Sequence, residues 1–155
     1  MRRSSAVVAG CVTATAAVAG NAFIGREAMT WFGELNKPRL QLPMLGFIGV
    51  GATYYGIVGY VLARAVDHGD AETMRWAGTV LVANEAWNVL LFGRRSPGMA
   101  VAGLFGFLVP LAFLQRSVWS DNRSRAVLLP YTAWVIGYDL PWSYRLWRLN
   151  RHSAR

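Results

Sequence analysis

The chain has 155 residues, of which 54% are hydrophobic and 15% are charged, with a net charge of +8. A water-soluble domain carries about 25% charged residues, so this composition excludes an ordinary soluble protein and predicts one polytopic helical membrane domain over residues 1–155. The arginines flank apolar runs and do not cluster on one face, which argues against nucleic acid as a partner.

The first apolar run covers residues 6–24 and has no charged residue, so its length and composition predict a membrane-spanning helix. Two kinds of processing compete with this assignment. The Val-Ala-Gly-Cys tetrapeptide at residues 8–11 resembles a lipoprotein cleavage box, although the hydrophobic stretch before it is short, and a secretory signal would need cleavage near Ala19. We favour a first helix that is retained in the mature protein.

Residues 25–43 are predicted to form a connecting loop, because two prolines end helices and its aromatic residues, Trp31 and Phe32, suit the membrane interface. The second span is predicted over residues 44–66, where the Tyr55 hydroxyl needs a partner inside the bundle. Small residues recur along one face of this span, so another helix backbone can approach it closely. They are Ala52, Gly56, Gly59 and Ala63.

The third span is predicted over residues 74–92 and carries polar side chains that do not belong in lipid. The spacing i, i+3, i+4 and i+7 puts four residues on one helical stripe, with Glu85 one step round from it. A lone carboxylate in hydrocarbon costs several kcal/mol, so this face must turn towards protein or a cavity. Either a functional site or hydrogen bonds between helices would account for it. The stripe residues are Asn84, Trp87, Asn88 and Leu91.

The fourth span is predicted over residues 98–119, with Pro110 expected to kink or locally break it. The fifth span is predicted over residues 126–147 and contains a second carboxylate within the membrane, Asp139. Four accounts of Asp139 stay open. It is protonated, it pairs with the carboxyl of Glu85, it forms a salt bridge with Arg145, or it reaches water at a helix break before a proline.

Five spans place the two termini on opposite sides of the membrane. The side that holds the C-terminus carries nine of the 16 Lys and Arg residues, and the other side carries seven. Because cytoplasmic loops carry an excess of Lys and Arg, we expect a cytoplasmic C-terminus, in the inner membrane of a bacterium.

Sequence signatures of soluble enzymes are missing, since there is no Gly-rich phosphate loop, no nucleophile elbow and no His-Glu-x-x-His. One cysteine, Cys11, excludes an internal disulfide, and with two distant histidines, His68 and His152, it cannot close a zinc site. We therefore predict no metal, no cofactor and no catalytic residue. An aromatic or polycyclic ligand fits the residues better, with the deep indoles of Trp87 and Trp134 as candidate cavity walls.

Three blocks of sequence together resemble the TspO/translocator-protein family, also called tryptophan-rich sensory proteins or peripheral benzodiazepine receptors. The resemblance covers about residues 31–150, and the blocks occur in the family's order and spacing. They are Trp31-Phe32-x-x-Leu35-x-Lys37-Pro38 with Pro43, Phe47, Tyr55 and Gly59; Asn84-x-x-Trp87-x-x-Leu90-x-Phe92-Gly93-x-Arg95-x-Pro97-Gly98; and Pro130-Tyr131-x-x-Trp134-Val135, ending in Trp147-Arg148-Leu149-Asn150.

The resemblance implies a five-helix bundle in the lipid bilayer, usually a homodimer. It implies a cavity that opens toward the first loop and binds porphyrins, sterols or benzodiazepine-like drugs, with a role in transport, breakdown or sensing of a tetrapyrrole. The alternative is an intramembrane enzyme or proton-coupled carrier that uses Glu85 and Asp139. The ligand-binding residues implied by position are Trp31, Tyr55, Asn84, Trp87, Trp134 and Tyr138.

The sequence departs from the family where the ligand is expected. Leu40 and Gly51 stand where family members commonly carry Trp. Between Trp134 and Trp147 there is one extra residue, with Asp139 in that stretch, and one added residue turns a helix face by about 100°. The departures predict a site that differs from the family's usual one.

Overall fold

A computed structural model describes residues 1–151, and all of its elements are helical. His152, which was counted above among the histidines, lies outside the described residues. The all-α class predicted from the sequence is confirmed. The helices are α1 (Arg3–Asn21), α2 (Arg26–Glu34), α3 (Met44–His68), α4 (Ala71–Asn88), α5 (Pro97–Ser117), α6 (Asn122–Trp134) and α7 (Leu140–Asn150), with π turns at Val89–Gly93 and Val135–Asp139.

Three helices are long and apolar enough to cross a membrane, namely α1, α3 and α5. We call each segment of spanning length a rod. The other two rods each combine α-helix with a π turn. A π turn extends α4 to cover residues 71–93, and a second π turn joins α6 to α7 over residues 122–150. Both composite rods exceed the roughly 20 residues that a span requires, so the chain forms five rods.

The rods pack around one interior core and leave apolar side chains on the outside. In the core, α1 packs against α3 and α4, while α4 packs against α5 and α5 against α7. Large hydrophobic side chains also project outward from several helices, as expected of surfaces that contact lipid rather than water. Examples are Val7, Val18, Leu45, Val82, Phe105, Val109 and Ile136.

The fifth rod contains a π turn in the stretch where the family resemblance suggested one extra residue. The backbone N–H of Leu140 donates to the carbonyl of Val135, five residues earlier, and the helix then continues into α7. A π turn holds one residue more than an α turn, so it absorbs an insertion without breaking the helix. The helix break expected before Pro141 is therefore wrong. Pro141 follows directly after the π turn and does not interrupt the helix.

The first loop contains a helix that its sequence did not predict. Within residues 25–43, α2 forms because Ala28 and Phe32, spaced i and i+4, both bury against the bundle. Nor does Pro110 break a helix, because α5 runs through it without interruption.

The small-residue face of α3 is used in part. A Cβ placed on Gly59 would lie 3.3 Å from the Thr13 methyl of α1, so the two helices approach closely there, whereas a Cβ on Gly56 would meet open space.

An ion pair near the end of α3 fastens this helix to Asp121, the residue that precedes α6. The Arg64 guanidinium donates to both oxygens of Asp121, at 2.7 and 2.9 Å. Asp121 also accepts from the Ser124 hydroxyl and caps α6 through the N–H of Arg123. The Arg64 hydrogen bonds, helped by those of Ser124 and Arg123, hold the pKa of the Asp121 carboxyl well below its usual range.

Replacing Asp121 with asparagine is expected to lower the free energy of unfolding by about 1–2 kcal/mol at neutral pH. A carboxylate whose pKa is depressed by folding contributes stability above its unfolded pKa of about 3.9, and the contribution fades as pH falls further. Thermal unfolding of wild type and variant in detergent should thus differ by a constant amount between about pH 5 and pH 8, and should converge below about pH 4. A difference that grows on acidification would contradict this account.

Candidate ligand-binding site

A cavity of about 670 Å³ lies between the rods, within the size range of small-molecule sites. Residues from all five rods and from α2 line it, and most of its surface is apolar. Its polar lining residues are Asn21, Tyr54, Tyr55, Asn84, Asn88, Tyr131, Asp139 and Ser143, and no Lys, Arg or His of the described residues 1–151 lines it.

The polar stripe of the third span faces this cavity. Asn84, Trp87, Asn88 and Leu91 all line it, as expected from their helical spacing. The stripe is straight because α4 is a regular helix as far as Asn88, and the π turn follows only afterwards. These side chains therefore point towards a hollow and away from lipid.

The Glu85 carboxylate lies directly behind the cavity wall. It accepts hydrogen bonds from the Tyr55 hydroxyl at 2.7 Å, and from the side-chain amides of Asn84 and Asn88 at 3.2 Å each. It also packs on the backbone of α1, because a Cβ built on Gly20 would lie 1.4 Å from Glu85 Oε2. Three donors thus satisfy a carboxylate that would otherwise be costly to bury, and they join α3 to α4 where α1 passes.

Asp139 lines the cavity from the second π turn. Its carboxylate accepts one hydrogen bond, from Trp134 Nε1 at 3.1 Å. Among residues 1–151 it forms an ion pair neither with Glu85 nor with Arg145, so both pairings considered from the sequence are wrong. Because the π turn replaces a helix break, Asp139 faces the enclosed space of the bundle.

The aromatic residues implied by the family resemblance divide into two groups. Tyr55 and Trp87 line the cavity, whereas Trp31, Trp134 and Tyr138 lie outside its lining. Trp134 and Tyr138 stack on each other with ring centroids 4.4 Å apart. Trp31 packs at the edge of the apolar cluster formed around Phe32, on the side of the first loop.

The fifth rod holds the first loop against the bundle. The Tyr138 hydroxyl donates to the Leu40 carbonyl at 2.6 Å and accepts from the Leu42 N–H at 3.1 Å. Trp142 Nε1 donates to Gln41 Oε1 at 3.0 Å. Since Met29 and Phe32 of α2 line the cavity, these bonds fix a segment that forms part of its wall.

A second attachment lies beyond the cavity, where Asn150 pairs with the backbone of Asn36. Its side chain accepts from the Asn36 N–H at 2.9 Å and donates to the Asn36 carbonyl at 3.0 Å. Nearby, the Lys37 ammonium donates to carbonyls at the end of α2, including that of Leu35 at 2.8 Å, and burial lowers the pKa of Lys37. The cation is thus committed to ending α2 and does not face the cavity.

Trp142 and Ser143 are among the cavity residues that the sequence-based selection missed. Trp142 is 5% exposed, and its ring centroid lies 5.2 Å from that of Phe47 and 6.4 Å from that of Phe32. The only signal in the sequence was their position three and four residues after Asp139, on its face of the helix.

Two polar atoms of lining residues have no partner although they are buried, Trp87 Nε1 and Ser143 Oγ. Buried polar groups are nearly always hydrogen-bonded, so each is a candidate contact for a bound molecule. In residues 1–151 no group of three or more His, Cys, Asp or Glu is placed to hold a metal ion. The site as described offers apolar burial, aromatic faces and a few polar contacts.

Comparison with known proteins identifies relatives along most of the chain. The family model described as the TspO/MBR family matches residues 7–140. The chain is 28% identical to the translocator protein of Ovis aries over 148 residues, covering 88% of this chain and 85% of that protein. It is also 28% identical to the translocator proteins of Bos taurus and Homo sapiens over 141 residues, covering 83% and 84% of this chain and 81% of each relative.

Proposed function

The chain belongs to the TspO/MBR family, and from this membership we propose that it binds a flat, mostly apolar molecule of the tetrapyrrole or sterol type in its central cavity. It is an integral membrane protein of the sensory or transport type. The observation that carries the proposal is that Asn84, Trp87, Asn88 and Leu91 face a hollow of ligand size. Buried polar stripes in membrane helices are functional sites by default.

The chemistry of the wall suits such a ligand. Apolar side chains from all five rods provide burial worth about 25 cal/mol for each Å² removed from water. Aromatic rings offer flat faces for stacking. The free Nε1 of Trp87 would donate to a carbonyl or ring nitrogen of the ligand, and Ser143 would bond a second polar edge.

The relatives are named translocator proteins, and we extend that activity to this chain as part of the proposal. The first loop would control entry, because α2 forms part of the cavity wall and three side chains of the fifth rod hold that loop in place. The proposal also includes a homodimer in a bacterial inner membrane, with the C-terminus in the cytoplasm.

A quenching titration tests the binding site. Octaethylporphyrin, a flat tetrapyrrole without carboxyl groups, should quench Trp fluorescence with saturation when it is added to the purified protein in detergent. The Trp87→Phe variant should bind about five- to tenfold more weakly, because it loses a hydrogen-bond donor and part of the stacking surface, a cost of about 1–1.4 kcal/mol.

The matched control is Trp119→Phe, since Trp119 is 61% exposed and lies outside the cavity. Its affinity should equal that of wild type. Trp134→Phe should have a smaller effect than Trp87→Phe, because Trp134 stands outside the lining. Equal affinities for wild type, Trp87→Phe and Trp119→Phe would remove Trp87 from the site.

The second candidate is a proton-coupled carrier, which Asp139 in the cavity wall favours. In that account a pH gradient drives uptake of the porphyrin into vesicles that contain the protein. Glu85→Gln abolishes this uptake while the protein stays folded. The ligand-binding account expects Glu85 not to drive transport. Uptake of the porphyrin into vesicles that contain Glu85→Gln should then stay within about twofold of wild type.

A further inference from the structure

We propose that the cavity selects an amphiphilic cation, a flat apolar molecule with an ammonium group that Asp139 and Ser143 bind. This inference rests on the proposed function, because it names the chemical class of ligand that the same cavity would take. It assigns to the π turn of the fifth rod a role in recognising charge.

The charge distribution around the cavity is the first support. Asp139 is an acidic lining residue, and the Glu85 carboxylate adds a second negative charge just behind the wall. Within residues 1–151 no lining residue is basic. Arg145 of the fifth rod and Arg39 of the first loop are exposed, and the Lys37 ammonium bonds backbone carbonyls.

Unused hydrogen-bonding capacity is the second support. Among residues 1–151 the one hydrogen bond that Asp139 accepts comes from Trp134, although a carboxylate offers about four acceptor sites. Ser143 follows four residues later on the same helical face, is 2% exposed, lines the cavity, and has an unpartnered Oγ. An ammonium group has three donors, so it would satisfy both side chains at once.

Aromatic rings near these two residues are the third support. Trp142 precedes Ser143 in α7 and lines the cavity, as do Phe47 and Tyr131. The faces of such rings attract cations, most strongly where water is excluded. An acid, a hydroxyl and aromatic faces together are the groups that proteins use to bind organic ammonium ions.

The same arrangement disfavours a carboxylated ligand. An anionic group beside Asp139 would face a like charge with no lysine, arginine or histidine in the lining to neutralise it. Repulsion between like charges is strong where the surroundings are apolar. Ligands with a common ring system should therefore rank as ammonium, then neutral, then carboxylate.

Three fluorescent compounds with one ring system test this ranking, 1-pyrenemethylamine, 1-pyrenemethanol and 1-pyrenecarboxylic acid. The full-length protein is placed in nanodiscs of phosphatidylcholine, which carry no net charge, and energy transfer from Trp to pyrene is titrated against empty nanodiscs. The amine should bind about tenfold more tightly than the alcohol, and the carboxylic acid should bind most weakly.

Two variants with the same change of charge assign the preference. Asp139→Asn should remove the tenfold preference for the amine and leave alcohol binding unchanged, which also shows that the variant is folded. Glu27→Gln, at a residue whose side chain is 88% exposed and outside the lining, should keep the preference intact. Ser143→Ala should reduce amine binding by a smaller factor of about threefold.

Equal binding of amine and alcohol to wild type, or a preference that persists in Asp139→Asn, would overturn the inference alone, since alcohol binding still supports the cavity as a ligand site. Failure of all three compounds and of octaethylporphyrin to bind would overturn the proposed function and this inference together.

Discussion

Replacing Trp142 with alanine is expected to lower the free energy of unfolding by about 3–5 kcal/mol, the usual cost of removing a buried Trp side chain. Trp142 is 5% exposed and packs between the ring of Phe32 in α2 and that of Phe47 in α3. Its indole N–H also holds Gln41 of the first loop. Truncation therefore removes packing and a loop attachment together.

Two measurements in detergent check this expectation. Denaturant titration should show the loss of stability, and trypsin should cleave after Arg39 faster in Trp142→Ala, because the first loop is released. Trp142→Phe keeps a ring but loses the hydrogen bond to Gln41 and part of the packing, so it should cost less than Trp142→Ala, about 1–2 kcal/mol. Trp119→Ala, at an exposed site, is the control, and a Trp142→Ala protein as stable as that control would refute the assigned role.

Replacing Gly20 with alanine is expected to destabilise the protein by about 2 kcal/mol, although alanine is the better helix former. The added Cβ would lie 1.4 Å from Glu85 Oε2 and 3.0 Å from Asn88 Nδ2. Either the Glu85 side chain must rotate away from its three donors or α1 must move outward. The hydrogen bonds of Glu85 would be lost in the first case and helix packing in the second.

A double-mutant cycle separates this clash from other effects. In a Glu85→Ala background the clash with Oε2 is gone and only the Asn88 amide, at 3.0 Å, must shift slightly, so the cost of Gly20→Ala should fall from about 2 kcal/mol to within about 1 kcal/mol of zero. Gly10→Ala is the matched control, because it lies in the same helix and its Cβ has no neighbour within 4 Å. Additive costs for Gly20→Ala and Glu85→Ala would show that the two residues do not interact.

Regular helix geometry explains what the sequence predicted well. The stripe of Asn84, Trp87, Asn88 and Leu91 could be read from its spacing because α4 is a regular α-helix over the first three of these residues. A hydrophobic run of spanning length likewise needs no tertiary information to be recognised. The family membership, inferred from motif order, is confirmed along most of the chain.

The fifth rod shows why the rest was not predictable. Helical periodicity assumes 3.6 residues in each turn, and the π turn at Val135–Asp139 adds one residue to that count. Residues beyond it therefore change face, which brings Trp142 and Ser143 to the cavity.

Contacts between residues far apart in the sequence could not be predicted either. The packing of Glu85 on Gly20 and the pairing of Asn150 with Asn36 join residues that no local pattern connects. The nine-residue helix α2 was taken for loop because glycine and proline surround a short amphipathic segment. Its burial depends on α7 and the cavity wall, which only the fold reveals.

A crystal structure grown from a lipidic mesophase with octaethylporphyrin present tests the central claim most directly. We expect ligand density inside the cavity, within about 4 Å of Trp87, Asn84 and Trp142, with the first loop still attached to the fifth rod. Density for the ligand on the outer, lipid-facing surface, with Asn84 and Trp87 in contact only with protein, would contradict the account.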